Sequence, residues 1–214
     1  MADLTTWKGL CAAVADWLGR DDLKDRIPDF IRLAEKRMER ELRLRVMERR
    51  AETDVSSGQR CVPLPWRREP GRWDVFMEMR DLVWQDADGQ CRDLRYVPPD
   101  GYAVGHAPGR PAAYTLIGRE LFLLPVPDRG GRLLLTYYAE IQPLGEQQPE
   151  NDVLLNAPDV YLYAALLESV PYTRGSVPAE QWAQFYASAR SRLEASEQRA
   201  RFTSNLTMKP VRRI

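Results

Sequence analysis

Apolar residues recur at the spacing of one helical face through residues 5–18, where Trp7, Leu10, Cys11, Val14, Trp17 and Leu18 line up. Thr5 or Thr6 can cap that helix and Gly19 can end it. Asp21, Asp22 and Asp25 then flank a short turn, where acids at a helix start complement its dipole. Pro28 stands where proline fits best, in the first turn of a second helix running to about residue 44. Ile27, Phe30, Ile31, Ala34, Met38 and Leu42 form its buried stripe. Glu39–Arg43 and Glu41–Arg45 are spaced for supporting i, i+4 pairs on its other faces.

The pattern changes near residue 46. From there to about residue 145 the chain is rich in proline, glycine and short β-type runs. Val46–Val55 and Arg60–Leu64 flank a Ser56-Ser57-Gly58-Gln59 turn, which predicts a hairpin. Leu82–Trp84, the Asp88-Gly89 turn and Cys91–Tyr96 predict a second. Ala113–Ile117, Gly118-Arg119 and Leu121–Leu124 predict a third. Arg132–Glu140 is apolar on both alternating faces, which predicts a strand covered on both sides.

The helical period returns from about residue 153. Pro158 opens a helix that should stop before Pro171, and Pro178 starts a last one with Trp182, Phe185, Tyr186, Ala189 and Leu193 on one face. Periodicity ends after residue 201. The expected fold is α+β: a mostly α-helical bundle drawn from both chain ends (1–45 and 150–201), a central antiparallel β insertion (46–149), and an extended C-terminal arm (202–214).

Composition adds bounds. The chain has 214 residues, 44 % hydrophobic and 29 % charged, as expected of a globular protein. Its formal net charge is zero, so there is no overall steering toward nucleic acid or acidic membranes. The three cysteines, Cys11, Cys61 and Cys91, form no C-x-x-C pair; neither a disulfide framework nor a zinc site is expected, and small buried thiols are. No signal peptide and no membrane span are expected. Lysine occurs only at positions 8, 24, 36 and 209, all other basic residues being arginine.

Candidate chemistry is sparse. The single histidine, His106, lies in a Gly-rich loop with no partner to name, which argues against a hydrolase built on it. Asp86 and Asp88 before Gly89 lack the further oxygen ligands of a calcium loop and suit a hairpin turn. No phosphate-binding glycine motif occurs, and no metal or cofactor is expected. Two basic stretches remain. Arg43, Arg45, Arg49 and Arg50, interleaved with Glu41 and Glu48, read as a solvated charged face or as a nucleic-acid contact. After Glu197 the tail has no acid, and it carries Arg199, Arg201, Lys209, Arg212 and Arg213 among the apolar anchors Phe202, Leu206, Met208, Val211 and Ile214. Such an arm can fold onto a partner or remain a disordered end.

Several segments, in order, resemble the head–tail connector adaptor proteins of tailed bacteriophages and related gene transfer agents. They are residues 14–18 (VADWL), 27–35 (IPDFIRLAE), 40–43 (RELR), 123–127 (LLPVP), 135–139 (LTYYA) and, most specifically, 157–168 (APDVYLYAALLE). Residues 56–70 match least. The resemblance implies a non-catalytic virion protein, assembled in the host cytoplasm, that forms a ring expected to be a dodecamer at the head–tail interface. It implies that the helical bundle builds the ring wall, that the β insertion faces outward or toward the tail, and that the lumen passes genomic DNA during ejection. The partners implied are the portal protein and a stopper or tail tube or nozzle protein, with no membrane. The arm, Phe202, Leu206, Met208, Lys209, Val211, Arg212, Arg213 and Ile214, is then expected to bind the portal. Arg40, Arg43 and Arg45 become candidates for the ring interface or the lumen. The rival expectations are a DNA-binding module and another virion component, such as a stopper or tail-completion protein.

Overall fold

The computed structural model describes residues 3–66, 74–101, 107–173 and 178–202. The chain divides into two compact units, Met1–Val46 together with Ile141–Ile214, and Met47–Glu140. The class is mixed α and β, with sheets that are mainly antiparallel.

In the first unit α1 spans Trp7–Leu18. Thr6 caps it by accepting from the Gly9 N–H, and Gly19, at φ 58°, closes it by donating to the Ala15 and Asp16 carbonyls. The three aspartates that follow lie in a 3-10 turn, Asp21–Arg26, where Asp22 is paired with Arg20. Helix α2 spans Ile27–Glu41, with Pro28 in its first turn. It ends three residues earlier than the spacing predicts, because Leu42 is extended (φ −110°, ψ 146°). Leu42 and Leu44 are both buried, an alternation that an extended chain satisfies and a helix does not. Helices α3 (Asp152–Asn156), α4 (Pro158–Thr173) and α5 (Ala179–Phe202) complete the unit. Helix α4 packs against α1, α2 and α5. It buries Val160, Tyr161, Leu162, Ala164, Ala165 and Leu166, positions that run around the helix rather than along one stripe.

Two further helix ends differ from expectation. Helix α4 runs through Pro171 to Thr173. A proline in the last turn forfeits one backbone hydrogen bond, and Tyr172 holds that turn against Phe30, ring centroids 5.0 Å apart. Helix α5 includes the backbone of Phe202.

Among the described residues the second unit has eight strands in two sheets. The strands are β1 (Glu48–Val55), β2 (Cys61–Pro63), β3 (Phe76–Asp86), β4 (Cys91–Asp93), β5 (Arg95–Tyr96), β6 (Ala113–Ile117), β7 (Glu120–Leu124) and β8 (Gly131–Ala139). One sheet has the order β1-β8-β3-β4 and is antiparallel throughout; the other has the order β2-β7-β6-β5. Trp84, Leu133, Leu135 and Tyr137 from the first sheet and Val62, Tyr114, Leu121 and Leu123 from the second share one apolar core.

The β3–β4 and β6–β7 hairpins form where the turn residues predict them, with Gly89 and Gly118 at positive φ. The expected hairpin of Val46–Val55 with Arg60–Leu64 does not form. Strand β1 pairs with β8 and β2 pairs with β7, so the Ser56–Gln59 turn is a corner between sheets. The corner lets Val55 and Val62 enter the same core from opposite sheets. The return strand after Gly89 also splits, since β4 ends at Asp93 and β5 joins the other sheet parallel to β6. Strand β8 lies between β1 and β3; Leu133, Leu135, Tyr137 and Ala139 fill its core face, while on the opposite face Tyr138 is buried and Leu134 and Thr136 are half-buried.

Candidate assembly site at the end of the last helix

Helix α2 leaves its last carbonyls without intrahelical donors, and arginine is well placed to serve them. Arg43 does so, its Nη1 donating to the Glu39 carbonyl at 2.8 Å and the Leu42 carbonyl at 2.7 Å. The Arg43 carbonyl in turn accepts from Arg201 Nη2 at 3.0 Å. The backbone N–H and Nε of Arg45 both donate to Glu197 Oε2, at 2.8 and 3.3 Å. The last turns of α5 are thereby fastened to the chain leaving α2. The pairing Glu41–Arg45 expected from spacing is replaced by contacts across helices.

A polar cluster between α2, α4 and α5 extends this attachment. Arg37 Nε donates to Glu168 Oε1 at 2.6 Å. Glu41 Oε2 accepts from the Tyr186 hydroxyl and from Arg190 Nη1, each at 2.8 Å. Burial pushes the Glu41 carboxyl up, but Tyr186, Arg190 and Arg37 outweigh it and hold the group below the usual carboxylate range. Burial, with Glu41 beside it, pushes the Tyr186 phenol up, so it stays a neutral donor. A cleft of about 240 Å³ is lined by residues that include Glu41, Arg43, Leu44, Glu197 and Arg201.

Because Glu41 is depressed in the folded state, its contribution is complete above the ordinary carboxylate range and is lost as pH falls through the lower folded value. Glu41→Gln should therefore cost about 1–2 kcal/mol at neutral pH, after discounting for partial exposure. Urea titrations of both proteins should show that difference shrinking toward zero in acid; a difference independent of pH would exclude the charge as its source.

The residues singled out from sequence are placed as follows. Arg40 is exposed on α2 and has no ion pair among the described residues. Arg43 and Arg45 lie together beside the end of α5. Arg49 Nε donates to Asp74 at 2.9 Å, and Arg50 is exposed. The backbone of Phe202 ends α5, whereas Leu206, Met208, Lys209, Val211, Arg212, Arg213, Ile214 and His106 lie outside the described residues. Asp86 accepts from the Gln90 N–H and pairs with Arg110, as a turn residue does. Of the cysteines, Cys11 is half-buried, its thiol pushed up to about 11 by burial, while Cys91 is exposed rather than packed. Among the described residues no cluster of His, Cys, Asp and Glu is able to hold a metal, and no helix is long and apolar enough to cross a membrane.

A second polar cluster is one that the sequence pattern does not predict. Glu35 and Glu39 are buried on α2. Glu39 Oε1 accepts from the Ile141 N–H at 3.1 Å and Glu35 Oε1 from the Leu144 N–H at 2.8 Å. Asn151 Nδ2 donates to the Gln142 carbonyl and to the Tyr161 oxygen, each at 2.7 Å, and Asn151 Oδ1 caps α3 by accepting from the Leu154 N–H at 2.8 Å. Burial pushes the Tyr161 phenol well up, and nearby Glu35 adds to it. The available signal was two glutamates four residues apart, adjoining the apolar stripe of α2.

The site so built holds helices and a chain exit in place. The model of the SU10 adaptor protein family matches residues 5–212. No curated protein matches the chain significantly. Matched over nearly its whole length, the chain belongs to the SU10 adaptor protein family, phage head–tail adaptors of the virion neck with a structural role and no place among known enzyme families.

Proposed function

We propose that copies of this chain close into a ring, twelve-fold by family resemblance, between the portal and a stopper or tail tube or nozzle protein, and that its lumen conducts the genomic DNA. In this reading residues 1–45 and 150–201 form a helical bundle that builds the ring wall, residues 46–149 form a β insertion facing outward or toward the tail, and residues 202–214 form an extended arm on the portal. The observation that carries it is the family match over residues 5–212. Identical neutral subunits with interspersed charges suit head-to-tail contacts, which close into rings when the rotation allows. The attachment of α5 to the exit of α2, through Arg201–Arg43 and Arg45–Glu197, gives the arm a fixed starting point.

A duplex-binding module using the Arg43–Arg50 run has less support, because Arg43, Arg45 and Arg49 already serve carbonyls or carboxylates within the fold. Arg40, exposed and with no ion pair among the described residues, is the better candidate for a ring interface or lumen.

The arm combines apolar anchors (Phe202, Leu206, Met208, Val211, Ile214) with Lys209, Arg212 and Arg213. Deleting residues 203–214 should weaken portal binding by roughly 100-fold or more, since losing two anchors of hot-spot quality suffices for that. The helical circular dichroism and melting temperature should be unchanged. A truncated chain that bound the portal as tightly as the full chain would remove the arm from the interface.

A further inference from the structure

The first sheet of the β unit ends in two strands, β1 and β4, and among the described residues neither has a partner on its outer side. The order β1-β8-β3-β4 is antiparallel at every step, so the two edges run in opposite directions. Copies arranged head to tail therefore meet β1 against β4 antiparallel, and the alternation of strand directions continues across the junction.

Face and charge restrict how they can meet. Opposed residues in a ladder share a face. Arg92 is opposed to Trp84, which is buried, so Arg92 lies on the core side of its sheet, and Cys91 and Asp93 lie on the outer side. Ala51 and Thr53 are opposed to the buried Leu135 and Leu133, so Arg50, Glu52 and Asp54 are on the outer side. Keeping like faces together allows registers only in steps of two residues. One of these opposes Arg50 to Asp93, Ala51 to Arg92 and Glu52 to Cys91. Shifting by two sets Asp93 against Glu48 or Glu52, and the former shift also sets Arg49 against Arg92. Shifting by four sets Asp93 against Asp54 in one direction and, in the other, carries Arg92 and Asp93 past the start of β1 at Glu48, leaving a single opposed pair. Like charges directly opposed are destabilising. Arg50, Arg92 and Asp93 are exposed and have no ion-pair partner among the described residues, so they are available to a neighbour.

We infer that β1 of one copy adds to β4 of the next in the single antiparallel register that opposes Arg50 to Asp93, so that this sheet runs on from subunit to subunit. The inference rests on the proposed ring and names one of its interfaces. Charges along a free edge ordinarily discourage pairing; here they leave one register open.

The register supplies its own reporter, because Cys91 is exposed and would face Glu52 of the neighbour. Opposed Cα atoms in an antiparallel pair lie about 4.5–5.5 Å apart, within the span of a disulfide. Full-length Glu52→Cys, Glu48→Cys and Asp54→Cys proteins, each assembled with the portal and imaged by electron microscopy, would be oxidised mildly and run on non-reducing gels. Glu52→Cys should give a ladder of linked chains that disappears when Cys91→Ser is added, and the other two variants should remain monomeric on the gel. Arg50→Asp should weaken subunit association, and Arg50→Asp with Asp93→Arg should restore it. Rings in the micrographs with no excess of linked chains for Glu52→Cys would overturn the sheet junction and leave the adaptor ring standing. An absence of rings for the unsubstituted protein would overturn both.

Discussion

Trp84→Ala is expected to lower the stability of the β unit by about 3–5 kcal/mol, the loss typical of emptying a large aromatic site in a packed core. Trp84 is 2 % exposed. It is opposed to Leu133 on β8 and belongs to the cluster that both sheets share. The neighbouring backbone is fitted to it. A Cβ placed on Gly131 would lie 2.3 Å from Trp84 Cζ2 and 2.7 Å from the Gln85 carbonyl oxygen, so only glycine lets β8 start there. Gly131→Ala is therefore destabilising by overpacking, by about 1–3 kcal/mol or more. The two substitutions act on one contact, so the double variant should be less unstable than the sum of the singles. Urea denaturation followed by far-ultraviolet circular dichroism measures all three. Additive losses would show that the indole and Gly131 do not meet.

The second large effect is expected at Asn151. This residue is 5 % exposed and makes three hydrogen bonds with one side chain. Alanine removes the α3 cap, worth about 1 kcal/mol. It also leaves the buried Tyr161 oxygen short of a donor, at about 1–3 kcal/mol, and takes one hydrogen bond from the half-buried Gln142 carbonyl, at about 1 kcal/mol. Asn151→Ala should cost about 3–5 kcal/mol in total. Asn151→Asp keeps the cap but loses both N–H donors and sets a carboxylate near Glu35, so it should be no better. A loss below about 1 kcal/mol would mean that water or a relaxed neighbour replaces these bonds.

The helices of the first unit were legible because their boundaries are written locally. Thr6, Gly19, Pro28 and Pro158 act within a turn of where they stand, and the structure uses each at a helix end. The hairpins at Gly89 and Gly118 were legible for the same reason. The partners of β1 and β2 were not. Glu48 pairs with Tyr138 and Cys61 with Phe122, and no local signal distinguishes a corner between sheets from a tight hairpin when both leave apolar residues inward. Pro171 reads as a helix stop, yet in a last turn proline removes only one bond and the helix runs on to Thr173.

The candidate site was legible in part. The Arg43 and Arg45 positions stand out as a basic run, but their partners, Glu197 and Arg201, lie near the other end of the chain. Glu35 and Glu39 were hidden because charged side chains beside an apolar stripe normally face water. Here the backbone N–H groups of Ile141 and Leu144 make burial affordable.

The most direct test of the proposed role is to mix the purified chain with the portal protein encoded in the same gene cluster and to image the product by electron microscopy. A closed ring of this chain stacked coaxially on the portal, with an open lumen along the shared axis, is the predicted result. A chain that ignores the portal and instead binds duplex DNA tightly as a monomer would contradict it.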